Sequence, residues 1–303
     1  MRSAFEDVRS NTLKSTLLIM LFFIMIAALG WLVGWYYGNI NVGLAIAVIF
    51  TIVYVAVMYY VGDRMILGMT GAKEVTKKDN AYLVNTVEGL AIAAGLPKPK
   101  CYIIEDTALN AFATGRDPQH ASITVTSGLL NKLNRQELEG VVAHEMSHIK
   151  NFDIRTMMLA TVLVGVITLI SDFMLRSFLW GGGRRDSRDA GSLTFVFIII
   201  GLVLAILAPL IAHLIRLAVS RKREFAADAQ GAILTRYPEG LASALEKIKG
   251  DPDPLVDNAN NATAHLFISS PFRKVKGGFS GWFANMFSTH PPIDERIKLL
   301  REM

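Results

Sequence analysis

Val141-Val142-Ala143-His144-Glu145-Met146-Ser147-His148 is the stretch from which the rest of the chain is read. It carries two histidines at i and i+4, with a glutamate directly after the first. On an α-helix four residues turn about 400°, so His144 and His148 stand about 40° apart on one face, and Glu145 about 60° from His148. All three side chains can reach one point. Two neutral imidazoles there suit a zinc ion, and a carboxylate beside them suits proton abstraction from water. The flanking sequence predicts the helix. Asn134 and Glu137 form a capping-box pair, and Leu138, Val141 and Val142 recur at helical spacing. From Arg135 to Lys150 only Gly140 disfavours a helix, by about 1 kcal/mol against Ala. The plain alternative is two histidines sharing a helix face by chance, and the context decides between them.

That context lies downstream, in Arg221-Lys222-Arg223-Glu224-Phe225-Ala226-Ala227-Asp228. A catalytic zinc takes three protein ligands and keeps one position open. Glu224 can be the third ligand. Asp228, one helical turn on, can accept the free N–H of a ligating histidine and fix its tautomer. The flanking alanines allow this helix to pack close to the first. Alone, Glu224 and Asp228 read as a charged helix start paired with Arg221 or Arg223; the upstream motif favours the metal. An apolar region, residues 157–212, separates the two parts. One ion can bind both only if that region crosses a membrane an even number of times, zero or two.

Composition points the same way. The 303 residues are 52% hydrophobic, with a mean hydropathy of +0.37. That is too apolar for an ordinary soluble domain and implies membrane segments beside a modest globular part. Residues 15–62 carry no charge, enough for two spans of about 20 residues each. The run is too long for a cleaved signal peptide. Tyr37-Gly38-Asn39-Ile40-Asn41 breaks it, with Trp31, Trp35, Tyr36 and Tyr37 as an aromatic belt. Arg2, Arg9 and Lys14 precede the spans; Arg64, Lys73, Lys77 and Lys78 follow. By the positive-inside rule the N-terminus and the chain from Asp63 onward are cytoplasmic. The net charge is +5, and the cations flank apolar runs, which suits anionic lipid rather than nucleic acid. The single cysteine, Cys101, excludes an intrachain disulfide and a cysteine zinc site.

Four parts follow: a transmembrane hairpin (1–62), a first catalytic part (63–153), a second apolar hairpin (154–219) and a second catalytic part (220–303). In the first catalytic part Lys78 to Ala94 reads as a helix, and Cys101–Ile104 and Ser122–Thr126 as short strands. Asn110-Ala111-Phe112-Ala113-Thr114-Gly115 is small enough for a peptide to pair beside it as an added strand; a plain loop is the other reading. In the second hairpin Ser192 to Ala212 is a full span, while Met157 to Ser171 is short. If both cross, Arg184, Arg185 and Arg188 fall outside, against the positive-inside rule; a hairpin that only dips into the membrane avoids this. Leu241 to Ile248 reads as a helix, Phe283 and Phe287 as membrane-surface contacts, and His120 and His265 as lone histidines without ligand spacing.

These motifs, together with Thr289-His290-Pro291-Pro292 and Glu295-Arg296-Ile297, resemble those of the HtpX-type heat-shock membrane zinc metalloproteases, relatives of the CAAX prenyl endopeptidases. The resemblance runs over nearly the whole chain. It implies a mainly α fold with a small sheet: multi-pass transmembrane helices and a cytosolic, thermolysin-like metalloprotease domain. It implies an integral membrane endopeptidase of the bacterial or archaeal cytoplasmic membrane, acting on membrane proteins in quality control with its active site facing the cytoplasm. One Zn2+ per chain would be held by His144, His148 and Glu224, with Glu145 as general base and Asp228 behind a ligand. Asn110, Ala111 and Phe112 would form the substrate-pairing edge. His290 and Arg296 match a motif near the site and are candidate oxyanion donors; otherwise His290 sits in a plain turn and Arg296 pairs with Asp294 or Glu295. The partners expected are membrane protein substrates and the lipid bilayer, not nucleic acid. Two other functions compete: a processing peptidase for one membrane substrate, and a silent scaffold with a structural zinc. Glu145 argues against the scaffold, which would not need it.

Overall fold

A computed structural model describes residues 4–163, 165–166, 221–251, 267–268 and 291–303. Helices α1 (Ala4–Tyr36) and α2 (Ile40–Met69) form a hairpin. Asn39 closes the turn, its side chain accepting the N–H of Val42 at 3.1 Å. Asn11–Tyr36 and Ile40–Met69 are each long and apolar enough to cross a membrane. The two helices meet through glycines: a Cβ at Gly43 would lie 2.2 Å from the Gly30 carbonyl oxygen. Close backbone approach of this kind is how helices associate in lipid, where the hydrophobic effect between them is absent. Ile24, Ile46, Ile49 and Ile52 face outward, exposed on the hairpin's flanks.

The chain then builds a four-stranded sheet from β1 (Lys73–Val75), β2 (Lys100–Ile104), β3 (Ala111–Gly115) and β4 (Ala121–Thr126), with α3 (Ala81–Ala94) between β1 and β2. The order is β1-β2-β4-β3; β2 and β4 are parallel and the other pairs antiparallel. The α3 helix starts three residues later than its apolar pattern suggests. Asp79 folds back onto Thr76, and Asn80 caps the helix by accepting the Leu83 N–H. The loop reading of Asn110–Gly115 is overturned: Ala111–Gly115 is the edge strand, with Ala111 opposite Val125. Alternation explains its small residues. Ala111, Ala113, Ile123 and Val125 join one core with α3 and the metal-motif helix, while Phe112 and Ile104 join a second core with Leu18 and Phe22 of α1 and Met157 and Met158. The sheet therefore lies between the site-bearing helices and the apolar hairpin.

After α4 (Ser127–Lys132) comes α5 (Arg135–Lys150), the predicted helix, with the predicted cap. Asn134 accepts the Glu137 N–H at 3.0 Å, and Glu137 accepts the Asn134 N–H at 2.7 Å. Twelve of its residues, Glu137, Leu138 and Gly140–Ile149, are buried, because α6 (Arg221–Thr235), α7 (Pro238–Lys249) and the sheet surround it; α8 (Ile293–Arg301) packs on α7 and α6. Gly140 has a purpose here: a Cβ on it would meet the Leu241 nitrogen of α7 at 2.6 Å. Gly140→Ala would gain about 1 kcal/mol of helix propensity, but the obstacle is backbone that cannot swing aside, and overpacking costs about 1–3 kcal/mol. We expect a lower melting temperature in detergent; a rise would show that α7 yields at no cost. Ser192–Ala212, the Gly181–Asp189 loop, His265, Phe283, Phe287 and His290 lie outside the described residues.

Candidate metal centre

His144 and His148 leave α5 on the same face, one turn apart, and both rings are buried. Their Nε2 atoms are 3.2 Å apart. Glu224, from the first turn of α6, closes the triangle, with Oε1 3.5 Å from His148 Nε2 and Oε2 3.9 Å from His144 Nε2. Zinc bound tetrahedrally at about 2.0–2.1 Å separates its nitrogen ligands by about 3.3 Å. The triangle has that size. The helices come close enough because α6 carries Gly231 where it crosses α5; a Cβ there would lie 3.1 Å from the His144 nitrogen.

Each imidazole is held from behind by a different carboxylate. Asp228 Oδ1 lies 2.9 Å from His144 Nδ1. Asp153 Oδ2 lies 3.0 Å from His148 Nδ1. With each Nδ1 turned to a carboxylate, each Nε2 is left facing Glu224 across the triangle, where a metal ion or a proton can sit between the buried groups.

Asp153 escaped the sequence reading. It follows α5 by way of Phe152, whose φ of 58° turns the chain back toward His148. A non-glycine residue in that region is strained by about 1–3 kcal/mol and persists only where surroundings demand it. The available signal was arithmetic: two ligating histidines need two acceptors, and Asp153 is the first acid after His148. Both acids of α6 turn inward, Glu224 to the two imidazoles and Asp228 to His144. Arg223 donates to Asp153 at 2.9 Å. Asp228 receives two bonds from Arg296, at 2.8 Å from Nε and 2.7 Å from Nη2. Arg296 is fully buried, so its pairing with Asp294 or Glu295 is overturned; Asp294 instead bonds Lys249 at the surface.

Among the described residues, four buried carboxylates meet here: Glu145, Asp153, Glu224 and Asp228. Two guanidiniums, Arg223 and Arg296, oppose them. With every acid ionised and both imidazoles neutral, as metal ligation requires, the cluster is two positive charges short, which one divalent ion supplies. Without a metal, protons make up part of that difference. Burial pushes the Glu145 carboxyl above its usual range, against the pull of both histidines. Burial alone would lower His148, but its bond to Asp153 and the charges of Glu224, Asp153 and Glu145 hold it up at about 9. Burial would raise Asp228 too, yet Arg296 and His144 keep it down at about 2.

The edge strand borders the same acid. Its Ala113 makes a backbone hydrogen bond to Glu145. Asn110 accepts the Ala111 N–H at 3.1 Å, and the Ala111 carbonyl accepts the N–H of Ile268 at 3.0 Å. Phe112 packs edge-on to Phe267. The Ile268 carbonyl in turn accepts from Arg296 Nη1 at 3.4 Å. The structure thus brings Glu145, Asp228 and Arg296 to the triangle, while the edge strand reaches Glu145 through Ala113, Phe112 faces the second core, and Ile268 bonds the strand at Ala111.

A helix pair that presents two histidines and a glutamate to one point, with a further acid alongside, is the architecture of a metallopeptidase. The profile of Peptidase family M48 matches residues 77–303, and the chain belongs to that family. It is similar over its full length to a curated protease HtpX homolog of Thermoanaerobacter pseudethanolicus, 45% identical over 100% of this chain and 98% of the relative. A protease HtpX homolog of Dictyoglomus thermophilum is 46% identical over 99% of this chain and 94% of its own length. One from Streptococcus uberis is 40% identical over 99% of both. The crystal structure of S. mikatae Ste24p shares the fold at a TM-score of 0.52 and 20% identity, covering 98% of this chain and 67% of that one.

Proposed function

We propose that the chain is a zinc-dependent endopeptidase of the membrane, cleaving membrane proteins, misfolded ones among them, on the cytoplasmic side. The observation that carries this reading is the buried triangle of His144, His148 and Glu224 with Glu145 beside it. Zinc held by His144, His148 and Glu224 would supply Lewis acidity, to polarise a scissile carbonyl and acidify a water. The chain's own residues do the rest. Asp228 and Asp153 hold the two imidazoles in the tautomer that leaves each Nε2 free. Glu145 takes the proton of the attacking water and passes it to the leaving amine. Its burial suits the task, since a carboxyl pKa raised toward neutrality makes a stronger base and lets the carboxyl hold the proton until the leaving amine takes it. A substrate strand would take the place of Ile268 on the Ala111 carbonyl, putting its own carbonyl within reach of Arg296 Nη1. His290 stays a candidate donor to the oxyanion. The bilayer holds the apolar hairpin against the sheet and brings membrane-bound substrates to that edge.

The test is cleavage of an unfolded membrane protein by the full chain in nanodiscs. Chelation should abolish cleavage, and zinc should restore it. Cleavage that persists after complete metal removal would end this reading.

Zinc and the proton compete for His148. A group held at about 9 in the metal-free protein is protonated below that pH and must release its proton when metal binds. Zinc affinity should therefore climb about tenfold per pH unit up to pH 9 and then level. The same proton stabilises the metal-free fold. Its contribution is full below the unfolded value near 6.5 and is lost as pH rises through 9. Chelator competition across pH 6–10 measures the first effect; a flat profile would remove His148 as the competing site.

A further inference from the structure

Asn11 lies at the start of the first apolar span and is 2% exposed. A buried amide must satisfy its donors and acceptor within the protein. This one does so on the supports of the metal centre. Its Nδ2 donates to Asp153 Oδ1 at 2.7 Å and to the Asn151 carbonyl at 2.8 Å. Its Oδ1 accepts from Arg223 Nη1 at 3.1 Å. Asn151 caps α5, Asp153 holds His148, and Arg223 is next to Glu224 in α6. A single side chain from α1 thus ties together both helices that carry the triangle. One turn on, Ser15 bonds Thr156 at 3.1 Å, and beyond it Leu18, Phe22 and Met25 continue the seam as apolar packing.

We propose that Asn11 is a positioning residue: its amide fixes the Asp153 carboxylate, and so makes metal affinity depend on the first membrane helix. Asp153 has two oxygens and two demanding neighbours. Oδ1 takes Arg223 and Asn11; Oδ2 is left for His148. Arginine prefers to grip a carboxylate with both nitrogens. Without the Asn11 amide, Asp153 can rotate to meet Arg223 in that way, which draws Oδ2 off His148 and frees the imidazole to turn. The membrane hairpin is then part of the catalytic unit and not only its anchor.

The inference rests on the zinc reading, and one experiment separates the two. Zinc affinity is measured by chelator competition on the full chain in detergent, for the wild type, Asn11→Ala, Asn11→Asp, Ser15→Ala, Asp153→Asn and the double variant Asn11→Ala with Asp153→Asn. Asn11→Asp keeps the size and the acceptor for Arg223 while losing both donors, so it reports even if Asn11→Ala does not accumulate. Both Asn11 variants should bind zinc about tenfold more weakly, as loss of an outer support does elsewhere. Ser15→Ala, which loosens the same seam without touching Asp153, should bind like the wild type. The double variant should match Asp153→Asn alone, because Asn11 acts through Asp153. Cobalt in place of zinc should show an altered visible spectrum in the Asn11 variants and an unaltered one in Ser15→Ala. Wild-type affinity in both Asn11 variants, or losses that multiply in the double variant, would overturn the inference. A wild-type chain that binds no zinc would overturn the metal reading beneath it.

Discussion

Glu145→Gln is expected to keep a full complement of zinc and to lose between about 100-fold and 10,000-fold in turnover, the range a positioned general base supplies. The substitution isolates one property. Glutamine has the shape of glutamate and can accept the bond from Ala113 through its amide oxygen. It cannot take a proton. Glu145 is outside the triangle, so removing its charge leaves His144, His148 and Glu224 to bind metal. The fold should tolerate the change, since a buried carboxylate is replaced by a neutral isostere. Zinc content is measured by atomic absorption and turnover on one unfolded membrane substrate. A fully loaded variant that still cuts at the wild-type rate would remove Glu145 as the base.

The contrast between Glu145 and its neighbours shows what a sequence can carry. The α5 helix was legible because its determinants are local: Asn134 and Glu137 cap it within one turn, and the histidines repeat at its period. Glu224 was legible as a partner because zinc chemistry demands a third donor and α6 offers two carboxylates on one face. Asp153 was not, because what aims it at His148 is the positive φ at Phe152, and nothing in Asn151-Phe152-Asp153 announces that turn. The edge strand was half legible. Ala111-Phe112-Ala113-Thr114-Gly115 lacks the β-branched run that marks β2 and β4, and it is a strand because β4 pairs with it. Asn11 meets Asp153 across 142 positions of sequence, and an asparagine at the end of an apolar run looks like any interfacial polar residue. Local propensity and ligand chemistry could be read from the chain; the outer supports, which depend on where separate elements meet, could not.

Arg296 offers the sharpest test of those supports. Arg296→Ala is expected to destabilise the metal-free protein by about 3–5 kcal/mol, the usual cost of removing one partner from a buried ion pair. The reason is charge left behind. Arg296 neutralises Asp228 through two bonds and stands 3.7 Å from Glu224. Without it, Arg223 is the one guanidinium left at this cluster among the described residues, and protons on the acids and on His148 must offset the rest. Arg301 is the control. It grips Glu239 and Glu246 through four bonds of similar length, from 2.7 to 3.2 Å, yet it sits at the surface in water. Counting hydrogen bonds to carboxylates, four against two, would rank Arg301 above Arg296; desolvation reverses the order. In chelated protein, Arg296→Ala should melt far below the wild type and Arg301→Ala close to it. Saturating zinc should recover part of the Arg296→Ala deficit, because a ligand that binds only the folded state stabilises it by mass action. The recovery should stay incomplete, since Asp228 no longer has the guanidinium that holds it against His144. Equal melting of both variants in chelator would mean that the buried acids at this centre are neutralised by something other than Arg296.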